Sequence, residues 1–409
     1  MAEAIPSNSN IQTVPSAKWN LHYFAGVFWL VYFLTNSYVW INDLIPFPSY
    51  YPLIGTYLLY LALTSPLQVA EFISKPITWL WAFTALVPLS LFLLSSSGNP
   101  YGWLSVITRV VFFSVLAGSG VLLLHKDSRR ILRTAARISL VFAVIINFGD
   151  LVFYNPYNSA EVTGRSAGFY GDANISAAAI GSLLLMSVDL NKQTVRSFFF
   201  VGISVLAIIA TQSRSGMTFG VLLLAAYLFL PSGRGTFSIG ARLGIGAAGL
   251  LMMVIVILGV GQLLGIDSEQ AWRIKSLVTL DVGDTSSQGR IASAQEAFRT
   301  FSDSFWTGMG LGSTRIYGYF SHNAYLQIGL EYGIFGVLTY VAVIGYGFVK
   351  VFRFGFRRSL GHLLLTFQIA YYSLFSHTVQ NNSLVAVVFA AMIVNATIAE
   401  DEDQGEETP

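Results

Sequence analysis

His322 and Asn323 stand where the glycine-studded stretch "GMGLGSTRIYGYFSHN" meets a long apolar run. An imidazole with a pKa of about 6.5 can accept the proton of an attacking hydroxyl near neutral pH, so His322 is a candidate general base. The alternative is a polar cap where a buried helix meets water. Three arginines suggest a partner chemistry: Arg165 in "TGRSAGFYGDAN", Arg214 in "ATQSRSGMTFG" and Arg290 in "GRIASAQEAF". A guanidinium is a planar, permanently charged fork that grips phosphate oxygens two at a time, which suits it to holding a pyrophosphate without a metal. Their plain readings are snorkelling to lipid headgroups for Arg214 and solvated loop charges for Arg165 and Arg290.

Other polar residues border the same stretches. Asn323 and Tyr325 can orient the histidine or a sugar, while helix capping accounts for Asn323 as well. Gly308, Gly310 and Gly312 allow close backbone approach ahead of His322, or form a flexible turn. His377 and Gln380 lie in "FSHTVQNNS", which can border the same site or be a hydrated turn; Asp172 and Asn174 read as caps. Arg109 sits inside an apolar run and is expected to pair with a buried acid such as Asp150 or Glu331, because intramembrane charges are usually matched. There is no close Asp pair, no His/Glu cluster and no Walker-type loop, so neither metal nor cofactor is expected.

Composition sets the surroundings of these groups. Of 409 residues, 54% are hydrophobic and 11% charged, with a mean hydropathy of +0.62. Apolar runs recur at 21–40, 50–63, 78–94, 103–124, 138–154, 175–190, 198–210, 217–230, 243–264, 334–351, 363–375 and 384–398, which predicts an all-α integral membrane protein of about twelve transmembrane helices. Lys and Arg alternate with them. Lys126, Arg129, Arg130, Arg133 and Arg137, then Lys192 and Arg196, then Arg234 and Arg242, then Lys350, Arg353, Arg357 and Arg358 fall in loops of one parity, and the positive-inside rule then places both termini in the cytoplasm.

The expected division is a disordered cytoplasmic tail at 1–20, helices over 21–264, a long periplasmic connection at 265–321, further helices over 322–398 and an acidic tail at 399–409. Ile291, Ala294, Ala297, Phe298 and Phe301 recur at helical spacing, so the long connection should carry an amphipathic helix on the outer surface. A net charge of +2 without an aromatic-interleaved basic patch argues against a nucleic-acid partner. Absence of cysteine excludes disulfides and thiolate metal sites.

The segments "TQSRSGMTFGVLLLAAY", the Gly289-Arg290 pair and "FWTGMGLGSTRIYGYFSHNAYLQIGLEYGIFGVLTY" together resemble the bacterial O-antigen ligase and Wzy-type polymerase family. The resemblance implies a GT-C-like enzyme of the bacterial inner membrane that takes a glycan from undecaprenyl pyrophosphate. It implies His322 as base or acceptor-orienting residue, and Arg214 and Arg290 as pyrophosphate contacts, with Arg165 as a third. The acceptor is lipid A-core for a ligase or a second glycan repeat unit for a polymerase; attachment to pilin is a further variant. A transporter of lipid-linked glycans is the reading from a different class. It would call for internal repeats and discontinuous helices, and no repeat is found in the sequence.

Overall fold

The computed structural model describes residues 21–44, 50–83, 100–125, 127–150, 166–190, 194–229, 285–316, 322–356, 358–379 and 382–398, with single residues 48, 153 and 244. Arg165, Gln380, the run at 243–264 and both tails lie outside the described residues. Within them the chain is helical, with no strand.

The helices are α1 (Leu21–Leu34), α2 (Ser37–Leu44), α3 (Tyr50–Thr64), α4 (Pro66–Ser74), α5 (Pro100–Leu123), α6 (Ser128–Gly149), α7 (Ala173–Ser187), α8 (Val195–Ala210), α9 (Arg214–Phe229), α10 (Thr285–Asp303), α11 (Ser313–Ile316), α12 (Ala324–Phe354), α13 (Leu360–Tyr372) and α14 (Ser383–Ile393). Residues 76–83 are helical too. Three of these, α5, α6 and α12, are long and apolar enough to cross a membrane; α3 and α4, bent by 102° at Ser65, make a fourth if counted as one broken span. The other apolar helices coincide with sequence runs but are shorter than the roughly 20 residues that a hydrocarbon layer requires.

Several boundaries differ from the sequence reading, each for a local reason. The run 21–40 is two helices, because Asn36 takes a left-handed backbone with φ 51°. The fifth run begins earlier, at Ser128, so Arg129, Arg130, Arg133 and Arg137 lie on the first turns of α6 and not in a loop. Helix α12 starts at Ala324, ahead of the expected 334, and is interrupted at Gly333, whose φ of 67° and ψ of −164° belong to no helix.

Helices α7 and α14 are apolar all round and almost wholly buried, the pattern of a central helix. Phe33, Leu116 and Phe389 share one core with them. Polar links cross it: Trp29 Nε1 donates to Ser119 Oγ at 3.0 Å, and the Ser383 hydroxyl donates to the Phe33 carbonyl at 3.0 Å. The outside is apolar as well. Phe28, Leu63, Leu67, Phe142, Phe199, Val221 and Phe352 are all exposed, as suits a protein whose flanks face lipid. This is a multi-pass membrane protein.

Charge separates along the bundle axis. Arg129, Arg130, Arg133, Arg137, Arg196, Lys350, Arg353 and Arg358 gather where α6, α8 and α13 begin and α7 and α12 end. There the Arg137 Nε donates to the Ser187 carbonyl at 3.0 Å, so a cation meets the negative end of α7. The opposite end holds the starts of α7, α9, α12 and α14 and the ends of α1, α6, α8 and α13. Arg214 and His322 are at that end.

Candidate functional site

His322 immediately precedes the N-cap of α12, in a left-handed backbone conformation with φ 47°. A non-glycine residue held there costs on the order of 1 kcal/mol, so the conformation persists only because its neighbours fix it. Those neighbours are identifiable. The Asn323 side chain accepts from the Leu326 amide at 3.1 Å, and the Ala324 amide donates to the Ser373 carbonyl at the end of α13 at 2.8 Å.

The first half of α12 (residues 324–332) is pinned equally firmly at its other end. The break at Gly333 leaves helix backbone groups without their usual partners, and the segment after α10 supplies new ones. The Met309 amide donates to the Leu330 carbonyl at 2.6 Å, and the Ile334 amide donates to the Phe305 carbonyl at 2.8 Å. Such close approach needs glycine on both sides. Gly308 has φ 68°, and a Cβ on it would lie 2.6 Å from the Gly333 nitrogen; one on Gly333 would strike the Trp306 carbonyl. Gly310 and Gly312 also have positive φ, and Gly312 backs onto the Tyr101 carbonyl at the start of α5.

Arg109 on α5 completes this support. Its Nη2 is 3.5 Å from Glu331 Oε2, and the Thr314 hydroxyl of α11 donates to Glu331 Oε1 at 2.9 Å. Glu331 is therefore the buried acid expected for Arg109. Asp150 serves elsewhere, accepting from the Ala167 and Gly168 amides at 3.1 and 2.7 Å.

Around His322 the charges converge. The His377 ring lies edge-on to it, with centroids 5.3 Å apart. Half-burial holds the His322 imidazole below its ordinary pKa; the Arg290 guanidinium pushes the same way and the Asp172 carboxylate opposes. His377 is pushed down to about 4, chiefly by burial and then by His322, with Asp172 opposing and Arg315 adding to the fall. Burial and the nearby cations thus favour the neutral form of both rings, Arg290 acting on His322, Arg315 on His377 and Asp172 on both.

Arg290 reaches this place because α10 packs against α12 along the face that carries Ala297, which is fully buried, and Phe301, which touches Gly329. Ala294 is half-buried, whereas Ile291 and Phe298 are exposed. The amphipathic pattern thus divides between protein and surroundings.

Arg214 is the first residue of α9. The Ser213 hydroxyl before it donates to Asn174 Oδ1 at 2.7 Å and accepts from the Gly216 amide at 3.1 Å, capping α9 and tying it to α7. Asp172, two residues before Asn174, caps α7 by accepting from the Asn174 and Ile175 amides at 2.8 and 3.0 Å. Asp172 therefore joins the two halves of the site: its own helix is bonded to the turn carrying Arg214, and its charge acts on both histidines. The sequence reading took it as a cap, which it is, and did not foresee the second role. Tyr325 points elsewhere, its hydroxyl donating to the Ala370 carbonyl at 3.1 Å.

Residues 199–341 of the chain, which include Arg214, Arg290, the glycine loop and His322, match the family model described as O-antigen ligase. This segment is similar to the O-antigen ligase family. No curated protein matches the chain. The O-antigen ligase match supports a function of the ligase or polymerase type, in a family of membrane glycosyltransferase-like enzymes that implies lipid-linked glycan substrates. Asp172 and His377 lie outside the matched O-antigen ligase segment and are added to its end of the bundle by α7 and by the turn after α13.

Proposed function

We propose that the chain moves a glycan from undecaprenyl pyrophosphate to a hydroxyl of lipid A-core, by a single, inverting displacement without metal or cofactor. The observation that carries this reading is the pairing of a neutral, half-buried His322 with the Arg290 cation, at the end of the bundle where Arg214 opens α9. The acceptor oxygen bonds to the anomeric carbon while the bond to the carrier's phosphate oxygen breaks, and the acceptor proton passes to the imidazole. The leaving pyrophosphate takes the electron pair. Arg214 and Arg290, with Arg165 as a third cation, stabilise the charge that develops on it, a contribution often worth about 3 kcal/mol per donor. Asn323 and the loop containing Gly310 and Gly312 fix the backbone that presents His322; His377 stands against its ring, while Tyr325 acts only by tying α12 to α13.

The segregation of basic residues to the other end supports a periplasmic site in a bacterial inner membrane, with both termini cytoplasmic and a GT-C-like arrangement of about twelve spans. The test uses purified protein, a radiolabelled undecaprenyl-pyrophosphate glycan and either lipid A-core or a second repeat unit as acceptor. Transfer to lipid A-core is expected; transfer only to the repeat unit would make the protein a polymerase. His322→Asn suits the left-handed backbone and removes the base, so activity retained in that variant would reject the mechanism.

A further inference from the structure

We infer that Asp150 and Asn147, at the end of α6, are positioning residues that hold the strap 166–172 and thereby set where Asp172 stands beside His322, an assignment that rests on His322 as the base. The strap runs from a bond with the end of α8 to the cap of α7. Each of its residues from Ser166 to Tyr170 is tied to a group on another element. One oxygen of Asp150, Oδ2, accepts from two successive strap amides, Ala167 at 3.1 Å and Gly168 at 2.7 Å. Asn147 Oδ1 accepts from the Ser166 hydroxyl at 2.5 Å and from the Ser176 hydroxyl of α7 at 3.1 Å, while its Nδ2 donates to the Ala143 carbonyl at 2.8 Å. The far side is held by α1 and α2: the Tyr170 hydroxyl donates to the Leu34 carbonyl at 2.8 Å, and Trp40 Nε1 to the Phe169 carbonyl at 3.2 Å.

These bonds favour one placement of the strap. Hydrogen bonds to an ionised carboxylate are roughly twice as strong as neutral ones, and Asn147 is fully buried, so a displaced strap would leave its amide unpaired away from water. Gly168 permits the close fit: its φ is 54°, and a Cβ there would lie 2.6 Å from Asn147 Nδ2. A single 3-10 turn over Gly168–Tyr170 and a left-handed Gly171, with φ 68°, then deliver Asp172 to the start of α7. Asn174, two residues on, lines one small cavity with Tyr372 of α13, and the next residue, Ser373, takes the Ala324 amide two residues past His322. The Ser166 amide donates to the Ala210 carbonyl at 3.3 Å, so the strap also meets the turn that leads to Arg214. The groups that act on His322 are then Arg290 from α10, the His377 ring from the turn after α13 and Asp172 from the strap, with Arg315 of α11 acting on His377.

The experiment titrates the His322 ring by NMR in the full chain, labelled at histidine and held in detergent micelles, with His322→Asn identifying its signal. Asp150→Ala removes both strap bonds; Asp150→Asn removes the charge and keeps an oxygen that can accept them. Tyr170→Phe releases the far side of the strap, and it carries the test if unfolding midpoints show that Asp150→Ala does not fold. Asp150→Ala and Tyr170→Phe are expected to move the His322 midpoint to lower pH, as Asp172→Asn does, and to add nothing when combined with Asp172→Asn. Asp150→Asn is expected to titrate as wild type does. A midpoint that stays or rises in the folded variants would overturn the assignment. So would an Asp150→Asn shift equal to that of Asp150→Ala, because Asp150 would then act by its charge and not by holding the strap. Glycan transfer by the same proteins tests the underlying reading separately: Asp150→Ala is expected to lower kcat/KM about tenfold. A wild type that transfers no glycan while the midpoints move as expected would remove His322 as base and leave the strap's hold on Asp172 standing.

Discussion

The Arg109 guanidinium on α5 stands 3.5 Å from the Glu331 carboxylate, both groups buried and the acid within one turn of the break in α12. A buried pair of this kind has a large cost of desolvation that its mutual attraction and hydrogen bonds must offset. Thr314 supplies one of those bonds, so the pair joins α5, α11 and the half-helix behind His322.

Removing one partner leaves the other charge alone in an apolar setting. Glu331→Gln or Arg109→Met should destabilise the protein by about 3 to 5 kcal/mol, whereas Arg109→Met with Glu331→Met should recover much of that loss. Thermal unfolding in detergent reads the difference. A double variant as unstable as the two single losses summed would show that the pair acts through something other than mutual neutralisation.

Two glycines of one helix should respond oppositely to the same substitution. Gly333→Ala adds a Cβ that strikes the Trp306 carbonyl at a backbone angle suited to glycine, and a loss of at least about 2 kcal/mol is expected. Gly345→Ala places its Cβ in open space with ordinary helical backbone, and should be neutral or stabilise by about 0.5 kcal/mol. Unfolding midpoints of the two variants decide it.

The charges around His322 predict how activity depends on pH. A base whose pKa is depressed stays in its neutral, proton-accepting form to lower pH, so the acid limb of kcat/KM should fall below about 6.5. Arg290 contributes to that depression and Asp172 opposes it. Arg290→Gln should therefore move the limb up, and Asp172→Asn should move it further down. A limb that ignores both substitutions would separate His322 from the titrating group.

Depressed histidines also tie stability to pH. His377 stays neutral in the fold down to about 4 but takes up a proton in the unfolded chain near 6.5. Its contribution is present above about 6.5 and is lost progressively as pH falls toward 4. Wild type should therefore lose more stability over that window than His377→Gln, measured by denaturant unfolding at several pH values.

The sequence by itself determined the class of the fold and the types of group offered as candidates for chemistry. Period and length of the apolar runs are local properties, so nearly every described helix begins or ends within a few residues of a run, and Arg109 could be assigned a buried acidic partner before the acid was identified. His322, Arg214 and Arg290 were legible because each breaks the local pattern of an apolar chain. Only the tertiary structure decided which of them meet. The packing of α10 on α12 brings Arg290 to His322, and the Ser213–Asn174 bond brings the Arg214 turn to Asp172. It also decided where helices break: the interruption at Gly333 is stable because Met309 and Phe305, distant from it along the chain, satisfy the backbone groups it frees. No local pattern encodes a partner that the fold must first deliver.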